Sequence, residues 1–100
     1  MTPEKSVQNS ILRYLAQLKK EGKKIMYERR QAGGFSYKKG IPDIYFVYDG
    51  IHVELEVKRP GGELSSMQKK YRDMCSNNNV LYLCADSVDV VKSFIETFFS

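Results

Sequence analysis

The chain lacks the features that mark several large classes of protein. It has two cysteines, Cys75 and Cys84, and one histidine. No CxxC or Cys/His spacing occurs, so neither a disulfide framework nor a thiolate metal site is expected, and both cysteines are expected to be buried, reduced thiols. No run of about 18 or more apolar residues is present, so no transmembrane helix is expected. The N-terminus carries no apolar signal-peptide region, which leads us to expect an intracellular location. Gly33-Gly34 falls in neither a GxGxxG nor a GxxxxGK[ST] frame, so no phosphate-cradling loop is indicated. The sequence shows no internal repeat, linker or low-complexity segment.

What is present fits one small domain spanning residues 1–100. With 42% hydrophobic and 12% aromatic residues, the chain can bury a core of modest size. Burial against a second copy would add to it. The net charge of +4 favours an anionic partner such as nucleic acid.

The organising stretch is Gly40 to Lys58. Asp49-Gly50 between two alternating segments is a strong hairpin signal. With these two as loop residues, Tyr48 faces Ile51, Phe46 faces Val53 and Ile44 faces Leu55. One side is then apolar: Ile44, Phe46, Tyr48, Ile51, Val53, Leu55 and Val57. The other carries Asp43, Tyr45, Val47, His52, Glu54, Glu56 and Lys58. Continuing the register sets Asp43 opposite Glu56, with Lys58 one pleat further along. Like charges directly opposed destabilise a sheet. A bound divalent cation gives the crowding a reason, because hard cations take carboxylate oxygens.

The rest of the chain reads in order around this hairpin. Thr2-Pro3-Glu4 opens a helix, with Thr2 as N-cap and Pro3 in the first turn. Val7, Ile11, Tyr14, Leu15 and Leu18 recur at helical spacing to about Glu21, and Gly22 follows as a C-cap. Lys23 to Arg30 reads as a short strand. Gln31 to Gly40 reads as a loop, in which Lys38 and Lys39 suit phosphates and Phe35 or Tyr37 suits stacking on a base or sugar, or as a solvated connection. Arg59-Pro60-Gly61-Gly62 breaks the chain after Lys58. Ser65 with Gln68 makes a capping box. The helix it opens turns Met67, Tyr71, Met74 and Cys75 inward and Lys69, Lys70, Arg72 and Asp73 outward, and Asn77-Asn78-Asn79 ends it. Val80 to Ala85 reads as a buried strand, parallel to the Glu56 strand through a right-handed crossover. Asp86 or Ser87 caps a last helix that packs Val88, Val91, Ile95 and Phe98 inward. Phe94 and Phe99 are left partly exposed, as a candidate dimer contact. The expected class is α/β, in the order α-β-β-β-α-β-α, with a mixed sheet flanked by helices.

Gly40-Ile41-Pro42-Asp43, Glu56-Val57-Lys58 with the Gly61-Gly62 turn, and Leu64-Ser65 with Gln68 together resemble the PD-(D/E)xK nuclease superfamily. Within it they resemble the virus-type replication-repair nuclease (VRR-NUC) family, through its GxPD, ExK and LSxxQ elements. Glu4 and Gln8 match acidic and amide positions of that family's first helix. The resemblance spans nearly the whole chain. It implies a restriction-endonuclease-like αβββαβ core and a magnesium- or manganese-dependent nuclease. Stand-alone members of this size resemble Holliday junction resolvases, which act on branched DNA as homodimers. They are common in phages and mobile elements, which implies a bacterial or phage-infected host cell.

Carried onto this chain, the resemblance implies that Asp43, Glu56, the Val57 backbone carbonyl and, through water, Glu4 bind the ion. Lys58 would orient or deprotonate the attacking water, or stabilise charge developing on phosphorus. Gln68 would orient Lys58 or that water. Arg29, Arg30, Lys38, Lys39, Lys69 and Lys70 are candidate contacts to the DNA backbone. His52 and Glu54 are expected to be structural, Glu54 as a solvated or Tyr45-bonded carboxylate. Two other readings stand beside the resolvase. One is a monomeric flap or end nuclease, or a nuclease subunit of a repair or restriction system. The other is a DNA-binding module without turnover.

Overall fold

A computed structural model of the chain describes residues 2–30 and 40–99. The loop expected over Gln31 to Gly40, with Phe35, Tyr37, Lys38 and Lys39, lies outside those residues apart from Gly40.

Helix α1 (Pro3–Lys20) starts where the sequence signals it: Thr2 Oγ1 accepts from the Lys5 N–H at 3.2 Å. Glu4 in the first turn and Lys19 and Lys20 in the last complement the helix dipole. Its buried residues are Gln8, Ile11, Leu15 and Leu18, and the expected Val7 and Tyr14 pack, partly buried, against the same core. Strand β1 (Ile25–Arg29) pairs antiparallel with β2 (Ile44–Tyr48), from Ile25↔Tyr48 to Arg29↔Ile44. Strand β3 (Ile51–Val57) pairs with β2 in the expected register: Tyr48↔Ile51, Phe46↔Val53, Ile44↔Leu55. Asp49 and Gly50 sit at φ 48° and 83°, the two left-handed positions that a type I′ turn requires. Helix α2 (Ser66–Asn77) crosses to β4 (Leu81–Ala85), which runs parallel to β3 from Val53↔Leu81 to Val57↔Ala85. Helix α3 (Val88–Phe98) completes the order. The sheet order is β1-β2-β3-β4. Among the described residues no helix is long and apolar enough to cross a membrane.

The core lies between one sheet face and α1 with α3. Ile44, Phe46, Val53, Leu55, Val57 and Ala85 pack there against Ile11, Leu15, Leu18, Val91 and Ile95. None of these residues comes from α2, which contacts β4. The opposite face, carrying Glu54 and Glu56, is therefore the one that α2 borders.

Four expectations are corrected. Strand β4 was expected to be buried but is an edge strand: Ala85 is its one fully buried residue, and Cys84 is an exposed free thiol. An edge strand has a neighbour on one side only, so its outer side chains stay wet. Met67 and Met74 of α2 are 40% and 54% exposed, and Cys75 is the residue this helix buries, because α2 touches the sheet only along the β4 edge. Phe98 is 48% exposed. The inward stripe Val91, Ile95 continues at the i+4 position, so Phe99 rather than Phe98 turns in, with its ring 4.5 Å from that of Tyr48. Finally, β2 begins at Ile44, so Asp43 stands just before the strand and not within it.

Gly40 docks the start of this hairpin on α2. Its φ is +70°, and a Cβ there would lie 2.4 Å from the Met67 carbonyl oxygen. Gly40→Ala is expected to cost at least about 1–2 kcal/mol from the left-handed backbone alone, with the clash in addition. Urea unfolding checks this, and a variant as stable as the parent would contradict the close approach.

Candidate active site

Glu4, Asp43, Glu56, Lys58 and Gln68 line one cleft of about 520 Å³, together with Gly40, Ile41, Ser65 and Met67. The cleft draws on four parts of the chain. Asp43 comes from the segment that enters β2, Glu56 from the end of β3 and Lys58 from the residue just after it. Gln68 comes from the first turn of α2, and Glu4 from the first turn of α1. The period-two alternation of β3 puts Glu56 and Lys58 on the same side and sends Val57 into the core, where it is 4% exposed. Val57, whose backbone carbonyl was a candidate ligand, is not among the residues that line the cleft.

Helix α2 presents Gln68 through its cap. Ser65 Oγ accepts from the Gln68 N–H at 3.2 Å, and Gln68 Oε1 accepts from the Ser65 N–H at 2.8 Å. The cap thus occupies Oε1, and Nε2 is the group left for other partners. The Arg59–Gly62 turn that leads here closes with the Gly62 N–H donating to the Arg59 carbonyl at 2.9 Å.

Glu56 is the unusual member. It is 6% exposed, and its Oε1 is buried with no hydrogen-bond partner. Burial pushes its carboxyl up to about 7; Lys58 pulls it down, while Asp43 and Glu4 raise it further. A salt bridge with Lys58 on a solvated face, the plain structural reading of this pair, is not what forms. Among the described residues the Arg or Lys ion pairs within 4.0 Å are Arg30–Glu54 and Arg72–Asp73, and His52 Nε2 also lies against Glu54.

Glu54 lies two residues earlier on the same face and is treated in the opposite way. It is 4% exposed, so it is neither solvated nor bonded to Tyr45, whose hydroxyl donates instead to Glu28 at 2.9 Å. The Arg30 guanidinium donates to both Glu54 oxygens, at 2.6 and 2.8 Å, and His52 Nε2 lies 2.5 Å from Oε2. Burial alone would raise the Glu54 carboxyl; the bonds from Arg30 and His52 outweigh it and hold the pKa below the ordinary carboxylate value. The Tyr45 ring fills the space between, stacked 5.0 Å from His52, with the Arg30 guanidinium 4.8 Å from its centre.

Arg30 is therefore engaged by Glu54 and the Pro42 carbonyl rather than free for DNA, with 27% of its side chain exposed. Arg29, Lys69 and Lys70 are exposed, and Arg29 and Arg30 line a smaller cleft of about 120 Å³ that shares Glu4 and Asp43 with the first. Lys38 and Lys39 lie outside the described residues. The pairing of Arg30 with Glu54 was not read from the sequence. Its signal was Glu54 itself, an acid two residues from Glu56 that would need its own cation to be buried.

An orphaned, buried carboxylate oxygen beside a second carboxylate fits a hard divalent cation. No group of three or more His, Cys, Asp or Glu side chains that could hold a metal is gathered among the described residues. Asp43 and Glu56 would supply two protein ligands, with water and phosphate oxygens completing the shell, as magnesium sites commonly do.

The raised carboxyl has a consequence for stability without divalent cation. The folded state favours protonated Glu56, with a pKa of about 7 against 4.5 for the free group. Folding then takes up a proton between those values, and stability falls as pH rises from about 4.5 to about 7. The loss is expected to be on the order of 2–3 kcal/mol. Glu56→Gln is expected to flatten the slope; urea unfolding at pH 5 and pH 7.5 checks this, and an unchanged slope would assign the titration to another group. No protein-family model, curated protein or solved structure matches this chain.

Proposed function

We propose that this protein is a divalent-metal-dependent DNA endonuclease of the VRR-NUC type, which hydrolyses phosphodiester bonds in branched DNA as a homodimer. The observation that carries this reading is Glu56. A structural carboxylate on this face would be paired, as Glu54 is. Glu56 instead keeps an unsatisfied oxygen in a cleft that also holds Asp43, Lys58 and Gln68.

Asp43 and Glu56 would hold magnesium or manganese. When bound, such an ion neutralises charge on the scissile phosphate and acidifies water. Lys58 Nζ, at the same cleft, donates to a non-bridging phosphate oxygen as charge develops there, or orients the attacking water. Gln68 Nε2 is a donor only, so it orients a water or phosphate oxygen rather than an ammonium group. The side-chain cap on α2 fixes it for that task. Glu4, which lines the same cleft, adds negative potential there and would help hold an ion through water.

Net positive charge and the exposed Arg29, Lys69 and Lys70 support a polyanionic substrate. A DNA-binding module without turnover is disfavoured, because two carboxylates in the binding cleft repel phosphate unless a cation lies between. The exposed Phe98 ring, stacked on Phe94 at 5.3 Å, offers an apolar surface for a second copy.

The test is magnesium-dependent cleavage of a four-way junction beside linear and flap DNA. Junction cutting is expected to exceed the others, with a solution mass twice the chain's 11.6 kDa. Preference for flaps by a monomer would move the reading to a flap nuclease. Asp43→Asn and Lys58→Ala are each expected to lower the cutting rate by about 10²-fold or more, with junction binding retained. Full cutting by either variant rejects the role proposed for that side chain.

A further inference from the structure

Asp43 lies outside β2, beyond the last rung of the β2–β3 pairing at Ile44↔Leu55. Pro42 before it has no N–H to give, although its ring is fully buried. The segment that brings one of the two acids to the cleft is therefore not held by the hairpin ladder. Arg30 holds it. The Arg30 N–H donates to the Asp43 carbonyl at 2.5 Å, one rung past the end of the β1–β2 pairing at Arg29↔Ile44. Arg30 Nη1 donates to the Pro42 carbonyl at 2.8 Å. Two consecutive carbonyls are thus gripped by one residue. The guanidinium is itself locked in the fork of Glu54 and packed over Tyr45.

We infer that Arg30 is the positioning residue for Asp43, aligning it with Glu56 for cation binding by clamping the Pro42–Asp43 peptide to the Glu54 carboxylate of β3. The inference rests on the metal-dependent reading above and deepens it. A buried ion pair is a poor device for stability alone, since well-packed apolar residues of similar size serve as well or better. What an apolar pair cannot supply is direction. A planar fork anchored at one edge by a carboxylate presents its remaining donors at a set angle, and here one of them meets the Pro42 carbonyl. The same pairing neutralises Glu54, so Glu56 is left as the buried acid on this face without a hydrogen-bonded cation. Arg30 therefore acts on the ion through Asp43, while its partly exposed side chain also lines the smaller cleft beside Asp43 and Glu4.

The test separates positioning from folding. Arg30→Met combined with Glu54→Met removes both charges and leaves no unpaired buried ion, so the double variant is expected to fold, with a melting temperature near that of the parent. Its affinity for manganese, measured by calorimetry on the full chain, is expected to fall about 10–100-fold, as for other groups that orient metal ligands. The loss in DNA cleavage is expected in kcat, with KM for DNA unchanged. Arg30→Lys keeps the charge but not the fork, and is expected to fold with a lowered melting temperature and to weaken manganese binding. If the double variant does not fold, Arg30→Lys decides the matter. Manganese affinity within about twofold of the parent, in either folded variant, overturns the inference while leaving the nuclease reading intact. A parent protein that binds no manganese overturns the nuclease reading, and the inference with it.

Discussion

Taking a carboxylate out of water costs several kcal/mol unless partners replace the solvent. Strand β3 does this twice, at Glu54 and Glu56, two residues apart on one face. At Glu54 the replacement is complete: a bidentate guanidinium, an imidazole nitrogen and a stacked phenol ring surround it. At Glu56 it is left unfinished: Oε1 is buried without a hydrogen-bond partner, in a residue that lines the cleft. The fold thus carries its own internal control for what a merely structural acid looks like in this setting.

The scaffold around these two residues is built to hold short segments rather than to cover area. The apolar face of the sheet receives two helices and most of the core. The polar face receives one helix, α2, which buries little beyond Cys75 and leaves Met67 and Met74 in water. Its contribution is at its N-terminus, where the reciprocal Ser65–Gln68 cap and the close approach of Gly40 fasten the helix start beside Asp43 and Glu56. Weak packing along α2 and tight packing at its first turn together keep one side of the sheet open as a cleft while fixing its walls.

Electrostatics and connectivity point the same way. The chain is basic overall, yet acids from α1, β3 and the segment before β2 meet in one place, with Lys58 as the basic side chain among them. Charge concentrated against the sign of the whole molecule is costly in the free protein, and a cation bound between the acids offsets it. Arg30 supports this arrangement without taking part in it, by cancelling the charge of one acid and fixing the backbone of another.

Local rules carried the sequence reading a long way. Asp49-Gly50 with flanking alternation yielded the hairpin and its register, and with it the shared side of Glu56 and Lys58. Thr2-Pro3 and Ser65–Gln68 located two helix starts through cap chemistry confined to four residues. The order of the elements and the parallel pairing of β4 also followed. What failed was whatever depended on neighbours brought from afar. An apolar run at 80–85 could not show that its strand would lie at an edge, nor a stripe of methionines that α2 would touch the sheet along that edge alone. The register and the ExK element singled out Glu56 over Glu54, but could not show that Glu54 is buried and satisfied, because its partner Arg30 lies 24 residues away along the chain. Turn type, side-chain alternation and caps are settled by bonds within a few residues, so the chain alone determined them. Which buried acid is satisfied and which is left open depends on the strands that pack beside each, and only the tertiary structure decided that.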